Sequence, residues 1–157
     1  MSFLGKVKKK LRNGSWYPFY NTFYEKNNLD PHMILLESRS GKALESNILS
    51  LLKELCQEPY CGFTLVLSVH RDSENEIKEK LQKNSIQGVH FVRTGSVAYY
   101  HALSRAGYLV NDTSFPGRFI KKEGQIYLNT WHGTPLKKMG RDNRPEMVTM
   151  GNVQRNL

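Results

Sequence analysis

The stretch 126-IYLNTWHGTPLKKMG-140 holds the residues best suited to chemistry. An apolar run ends at Trp131, and His132 follows it directly. An imidazole is the side chain whose ordinary pKa lets it take and return a proton near neutral pH. Gly133 permits a sharp turn or the close approach of another group. Thr134 carries the hydroxyl of a good helix N-cap, and Pro135 suits the first helical position. This order predicts a strand that delivers His132 to the start of a helix. The unpaired N–H groups and the positive dipole end of such a start attract phosphate. The same dipole favours the neutral imidazole, the form that accepts a proton. Lys137, Lys138, Arg141 and Arg144 add positive charge close by. The chemistry implied is proton removal beside a bound phosphate. The competing reading is a histidine that caps or packs the turn.

Two further clusters could serve such a reaction. Asn111 and Asp112 end an apolar run, and Asp112 could orient His132 by accepting its other N–H; it could equally cap its own loop. Arg118, Lys121 and Lys122 follow, either to steer a polyanion or as a solvated loop. The loop 38-SRSGK-42 comes after the first apolar strand, where Ser38 and Arg39 could touch a substrate. It ends like a phosphate loop but lacks the first glycine, and Ala43 stands where Ser or Thr is required. A plain solvated turn is the simpler expectation. No G-x-G-x-x-G follows any strand, so a dinucleotide fingerprint is absent. His32, His70, His90 and His101 fall before, after or within regular elements, and no pair has helical metal-ligand spacing. Cys56 and Cys61, the 2 cysteines, form neither a disulfide framework nor a zinc motif. No metal or cofactor is expected.

Positioning these residues requires a regular frame, and the hydropathy pattern supplies one. Apolar runs at 32–37, 63–69, 88–94, 108–112 and 125–130 read as strands. Between the first four lie helical patterns at 44–57 and 73–85, and at 96–106, the last capped by Ser96 and ended by Gly107. Strands alternating with helices argue for an α/β domain, a parallel sheet covered on both faces. His132 and Asp112 then fall at the carboxyl ends of strands, where open α/β sheets bind ligands.

The first residues differ from the rest. Lys6, Lys8, Lys9, Lys10 and Arg12 surround an apolar stripe of Phe3, Leu4, Val7 and Leu11, and Trp16, Tyr17, Phe19, Tyr20, Phe23 and Tyr24 follow. A basic amphipathic helix with aromatics suits an anionic membrane surface. The alternatives are an arm packed on its own domain and a nucleic-acid arm. The 157 residues suit one domain, and the net charge of +9 points to an anionic partner. A nucleic-acid binder would rest only on charge and aromatics and is set aside. No apolar run is long enough for a transmembrane helix, and the N-terminus lacks the pattern of a cleaved signal peptide.

The block 111-NDTSFPGRFIKKEGQIYLNTWHGTPLKKMGRD-142 resembles the CDP-glycerol glycerophosphotransferases, the teichoic acid primases and polymerases. Their Asn-Asp, Phe-Pro and Gln-x-Tyr-x-x-Thr-Trp-His-Gly-Thr-Pro-Leu-Lys features stand here almost unbroken. The stretch 34-ILLESRSGK-42 is similar to the family's first strand and loop, so the likeness runs over residues 30 to 142. The resemblance implies a Rossmann-like sheet flanked by helices, the N-terminal, acceptor-side domain of a GT-B fold. On this reading residues 1–28 are a membrane-associating arm and 30–157 the domain. The donor would be CDP-glycerol, or CDP-ribitol in close relatives, and the acceptor a lipid-linked polyol phosphate at the cytoplasmic face of the cell membrane. His132 would be the catalytic base, supported by Asp112. Asn111, Trp131, Gly133, Thr134, Lys137, Ser38 and Arg39 would line the substrate site. Family members are longer, and their donor-binding half has no counterpart in this sequence. The chain alone is therefore expected not to turn over CDP-glycerol; the alternative is a non-catalytic membrane or interaction module retaining the ancestral fold.

Overall fold

The computed structural model describes residues 17–116 and 119–131. Five strands, β1 (Asp30–Glu37), β2 (Thr64–Val69), β3 (Val89–Arg93), β4 (Ala106–Asn111) and β5 (Ile126–Asn129), alternate with helices α2 (Ser46–Leu55), α3 (Glu74–Lys83) and α4 (Val97–Arg105). Helix α1 (Tyr17–Lys26) precedes β1. The order across the sheet is β3-β2-β1-β4-β5, and every neighbouring pair is parallel. The expected α/β frame with a parallel sheet is what the chain forms.

The sheet is wound in two directions from β1. Helices α2 and α3 cover one face, where Ile48, Leu52, Ile77 and Leu81 pack on Leu36, Leu67 and Val69. Helix α4 covers the other, with Tyr99, Ala102 and Leu103 against Leu35, Val66 and Leu109. Burial on both faces explains why β1, β2 and β4 read as continuous apolar runs rather than alternating ones. Between β1 and β4 the winding reverses. In open α/β sheets this switch opens a crevice outside the carboxyl ends of the two strands.

Local signals fix the helices. Glu74 and Glu76 sit in the first turn of α3, and Lys80 and Lys83 in its last, the arrangement the helix dipole favours. Ser96 caps α4, its hydroxyl accepting from the Tyr99 N–H at 3.2 Å, as expected. The C-terminal end of α4 departs from expectation. The helix stops at Arg105 and β4 begins at Ala106 with no loop between, so Gly107 lies inside the strand. Its task is close approach: a Cβ there would meet the Asp30 carbonyl oxygen at 2.8 Å and the Pro31 Cα at 3.0 Å. Gln125 supplies donors at this junction, to the Leu103 carbonyl at 3.0 Å and the Ala106 carbonyl at 2.8 Å.

Helix α1 shares the face of α4. Tyr20 is 2% exposed and belongs to the same apolar cluster as Tyr99 and Leu103. Its hydroxyl donates to the Ile120 carbonyl at 2.6 Å, and Asn27 reaches the Ser104 hydroxyl at 2.7 Å. The Phe23 ring stands edge-on to His101 at 5.3 Å. Packing on its own domain, the alternative weighed for the aromatic stretch, is therefore what Tyr20 does. The basic stripe of residues 3–12 lies outside the described residues. Among the described residues no helix is long and apolar enough to cross a membrane.

Candidate active-site crevice

The crevice at the switch point is built from the ends of β1, β4 and β5. One register row on the α4 side of the sheet carries Val66, Leu35, Leu109 and Tyr127. Two residues further along, on the same face, the row reads Ser68, Glu37, Asn111 and Asn129. β1, β4 and β5 thus each end on a polar residue, and β2 carries one just before its last position. Glu37, Ser68 and Asn111 are no more than 1% exposed. A buried row of this kind costs free energy unless its atoms are paired.

Asp112, at 2% exposure, ties the row to the loop after β1. Its carboxylate accepts from the Ser38 hydroxyl at 2.7 Å and from the Arg39 N–H at 2.8 Å. The loop so held is not a solvated turn. Ser38 and Gly41 are buried, and only Arg39, Ser40 and Lys42 face outwards. Arg39, Ser40 and Gly41 all take left-handed backbone, with φ of 48°, 55° and 77°. For the two non-glycine residues that costs about 1–2 kcal/mol each. Gly41 cannot be replaced freely, since a Cβ would press on the Thr94 hydroxyl and lie 2.8 Å from the His70 nitrogen. Strain of this sort persists where surrounding contacts over-determine it, and it gathers at ligand sites. Arg39 pairs with Glu45 at 3.3 Å on the outer surface.

On the other side of the crevice, β5 hands the chain to Trp131. The Thr130 N–H donates to the Asn111 carbonyl at 2.8 Å, extending the strand pairing by one residue. Trp131 then turns left-handed, with φ 50°, and is 50% exposed. Two asparagines hold that turn. Asn129 accepts the Trp131 N–H at 2.9 Å and donates to the Thr113 carbonyl at 2.6 Å. Asn47, at the start of α2, reaches the Thr130 and Trp131 carbonyls at 3.3 Å each. Tyr127 donates to the Asn111 side-chain oxygen at 3.0 Å, and burial pushes its own pKa up.

Of the residues picked from the sequence, Ser38, Arg39, Asn111, Asp112 and Trp131 come together around this crevice. His132, Gly133, Thr134 and Lys137 lie outside the described residues. Asp112 holds the loop after β1, a task that neither reading weighed for it, orienting His132 or capping its own loop, had named. Sequence reasoning passed over Glu37, Ser68, Asn129, Tyr127 and Asn47. A usable signal was there: the apolar runs at 32–37, 63–69, 108–112 and 125–130 each carry a polar residue in their final positions. Among the described residues no cluster of three or more His, Cys, Asp or Glu side chains could hold a metal ion.

Comparison with known proteins bears on the same residues. The model of the CDP-glycerol:poly(glycerophosphate) glycerophosphotransferase family matches residues 19–157. The teichoic acid poly(glycerol phosphate) polymerase of Staphylococcus epidermidis is 31% identical over 123 residues, which are 78% of this chain and 16% of that protein. The teichoic acid glycerol-phosphate transferase of Staphylococcus aureus is 28% identical over 137 residues, 87% of this chain and 33% of that protein. A variant of the wall teichoic acid polymerase TagF superposes with a TM-score of 0.67 at 25% identity, covering 96% of this chain and 35% of the polymerase. The chain thus spans a third or less of the length of each of these two relatives. With its parallel sheet, its switch-point crevice and a family match over residues 19–157, the chain belongs to the CDP-glycerol:poly(glycerophosphate) glycerophosphotransferase family.

Proposed function

We propose that this chain forms the acceptor-side domain of a GT-B enzyme that transfers glycerol phosphate, or ribitol phosphate, from a CDP-polyol to a lipid-linked acceptor, with His132 as general base. The imidazole of His132 takes the proton from the acceptor's terminal hydroxyl. The hydroxyl oxygen attacks the phosphorus of the donor's polyol phosphate. The bond from that phosphorus to the bridging oxygen breaks, and CMP leaves with the electron pair. Such transfers depend on positioning and on stabilising charge rather than on covalent help from the protein.

The observation that carries the reading is the turn at Trp131. Asn129 and Asn47 fix the backbone of the residue before His132, at the edge of the crevice formed by Ser38, Asn111 and Asp112. The helix start implied by Thr134 and Pro135 would add N–H donors for the transferred phosphate. One of the solved TagF structures comes from a crystal soaked with CDPG, which fits a nucleotide donor for the family fold.

The test uses the longest natural protein that contains these residues. Transfer of labelled glycerol phosphate from CDP-glycerol to a lipid-linked acceptor is measured for wild type and His132→Ala. We expect kcat to fall about 10²–10⁴-fold, the usual contribution of a positioned base. Unchanged transfer would remove His132 from the mechanism.

A further inference from the structure

Trp131 is a bulky residue in left-handed backbone, at φ 50°. That conformation crowds the Cβ of any L-residue, and it persists only where the surroundings over-determine it. Here they grip both peptide groups of Trp131. Its N–H donates to the Asn129 side-chain oxygen at 2.9 Å. Its carbonyl accepts from the Asn47 amide nitrogen at 3.3 Å. A peptide unit is flat, so a carbonyl shares one rigid plane with the nitrogen and Cα of the next residue. Fixing the Trp131 carbonyl therefore fixes the plane from which His132 starts.

Asn129 makes the shorter of the two holds. It stands two residues before Trp131, the spacing at which an Asn oxygen closes a turn on its own backbone. Its amide nitrogen is engaged as well. It donates to the Thr113 carbonyl, past the end of β4, at 2.6 Å, and lies 3.4 Å from the Tyr127 hydroxyl. That hydroxyl donates to the Asn111 side-chain oxygen at 3.0 Å. The turn is thus tied to β4 and not only to its own strand. Asn129 faces one donor and one acceptor, so its amide fits only one way round. Asp would set a second oxygen against the Thr113 carbonyl. Ser would keep an acceptor for the Trp131 N–H and give up the Thr113 carbonyl.

We propose that Asn129 is a positioning residue for the general base: through the Trp131 turn it sets the direction in which the chain presents His132 to the crevice. Asn129 itself touches no reacting atom. The inference rests on the transfer reaction proposed above, and it adds a residue that acts on that reaction only through His132.

The experiment again uses the longest natural protein that contains these residues. Steady-state transfer from CDP-glycerol is measured for Asn129→Ala, Asn129→Ser, His132→Ala and the double variant Asn129→Ala/His132→Ala. We expect Asn129→Ala to lower kcat about 10–10²-fold with KM for CDP-glycerol unchanged, the size of effect a small misplacement of a reacting group has. Asn129→Ser should recover part of that loss. Both variants give up the Thr113 bond, so the recovery reports the turn and not the anchor. With His132 already replaced, Asn129→Ala should cost nothing more, because two residues that act as one unit are not additive. An unchanged kcat in Asn129→Ala, no recovery in Asn129→Ser, or an equal loss with and without His132 overturns the proposal. Should Asn129→Ala fail to fold, amide hydrogen exchange on the wild type decides. The Trp131 N–H should exchange more slowly than in an unfolded peptide; exchange at the unfolded rate overturns the proposal. The two readings fail differently. Unchanged transfer in His132→Ala sinks the mechanism and this inference together, whereas a loss in His132→Ala with none in Asn129→Ala sinks this inference alone.

Discussion

Ser38 and Asp112 meet across 74 residues of chain at a separation of 2.7 Å, and that contact fixes how β1 turns into its loop. The Arg39 N–H adds a second bond to the same carboxylate. Asp112→Asn keeps the shape but loses the charge, and its amide nitrogen cannot accept from a donor. Hydrogen bonds to charged groups contribute about 1.5–3 kcal/mol. Urea denaturation should therefore show Asp112→Asn less stable by about that amount; an unchanged midpoint would mean the clamp is slack. At this scale the sequence was partly legible. Ser38, Arg39, Asn111 and Asp112 stand out because polar residues at strand ends are conspicuous after apolar runs. Glu37 did not, because a glutamate ending a strand looks solvent-facing until a neighbouring strand is known to lie on each side of it. Asn47 and Asn129 were hidden for a similar reason: their partners are backbone groups of other segments, and nothing in local spacing reveals them.

Periodicity decides most at the scale of elements. The apolar stripe of Ile48 and Leu52, and that of Ile77 and Leu81, read directly as helix faces and both are buried in the core. The strands fell where apolar runs predicted them, with ends displaced by one or two residues. The α4–β4 junction was misread because a glycine after a helical pattern usually marks a C-cap. Here Gly107 answers to a contact with Asp30 across the sheet, which helical spacing cannot foresee. The junction depends instead on Gln125, whose side-chain nitrogen serves the Leu103 and Ala106 carbonyls while the residue itself is 3% exposed. Gln125→Ala leaves buried carbonyls unpaired, at about 1–3 kcal/mol. Thermal unfolding should report that loss, and hydrogen exchange should show it concentrated in the last turn of α4 and the start of β4. Faster exchange spread evenly over the domain would speak against a local role.

For the whole molecule, pH and stability are linked through Glu37. Its folded pKa is raised above 4.5, first by burial, so the folded state holds a proton that the unfolded state has released. Its contribution is complete below the unfolded pKa and declines as pH rises from there through the folded pKa. Other groups titrate over the same range, so the informative quantity is wild type minus Glu37→Gln, measured by urea denaturation at several pH values. That difference should shrink with rising pH and then level off; a flat difference would mean that Glu37 titrates normally. The overall architecture was legible from alternation of strands and helices. The strand order was not, because hydropathy does not state on which side of β1 the crossover through α4 returns.

That order has a consequence for synthesis. β1 is the central strand, and it emerges early, yet one of its two neighbours is β4, whose residues lie about 74 positions later. At roughly 5–20 residues per second, a ribosome needs roughly 4–15 s to make up that distance. For that time the β1 edge due to pair with β4, flanked by Ile34, Leu35 and Leu36, has no native neighbour. A nascent chain in this state is a natural client for holding chaperones, and slowed translation between β3 and β4 would lengthen its exposure.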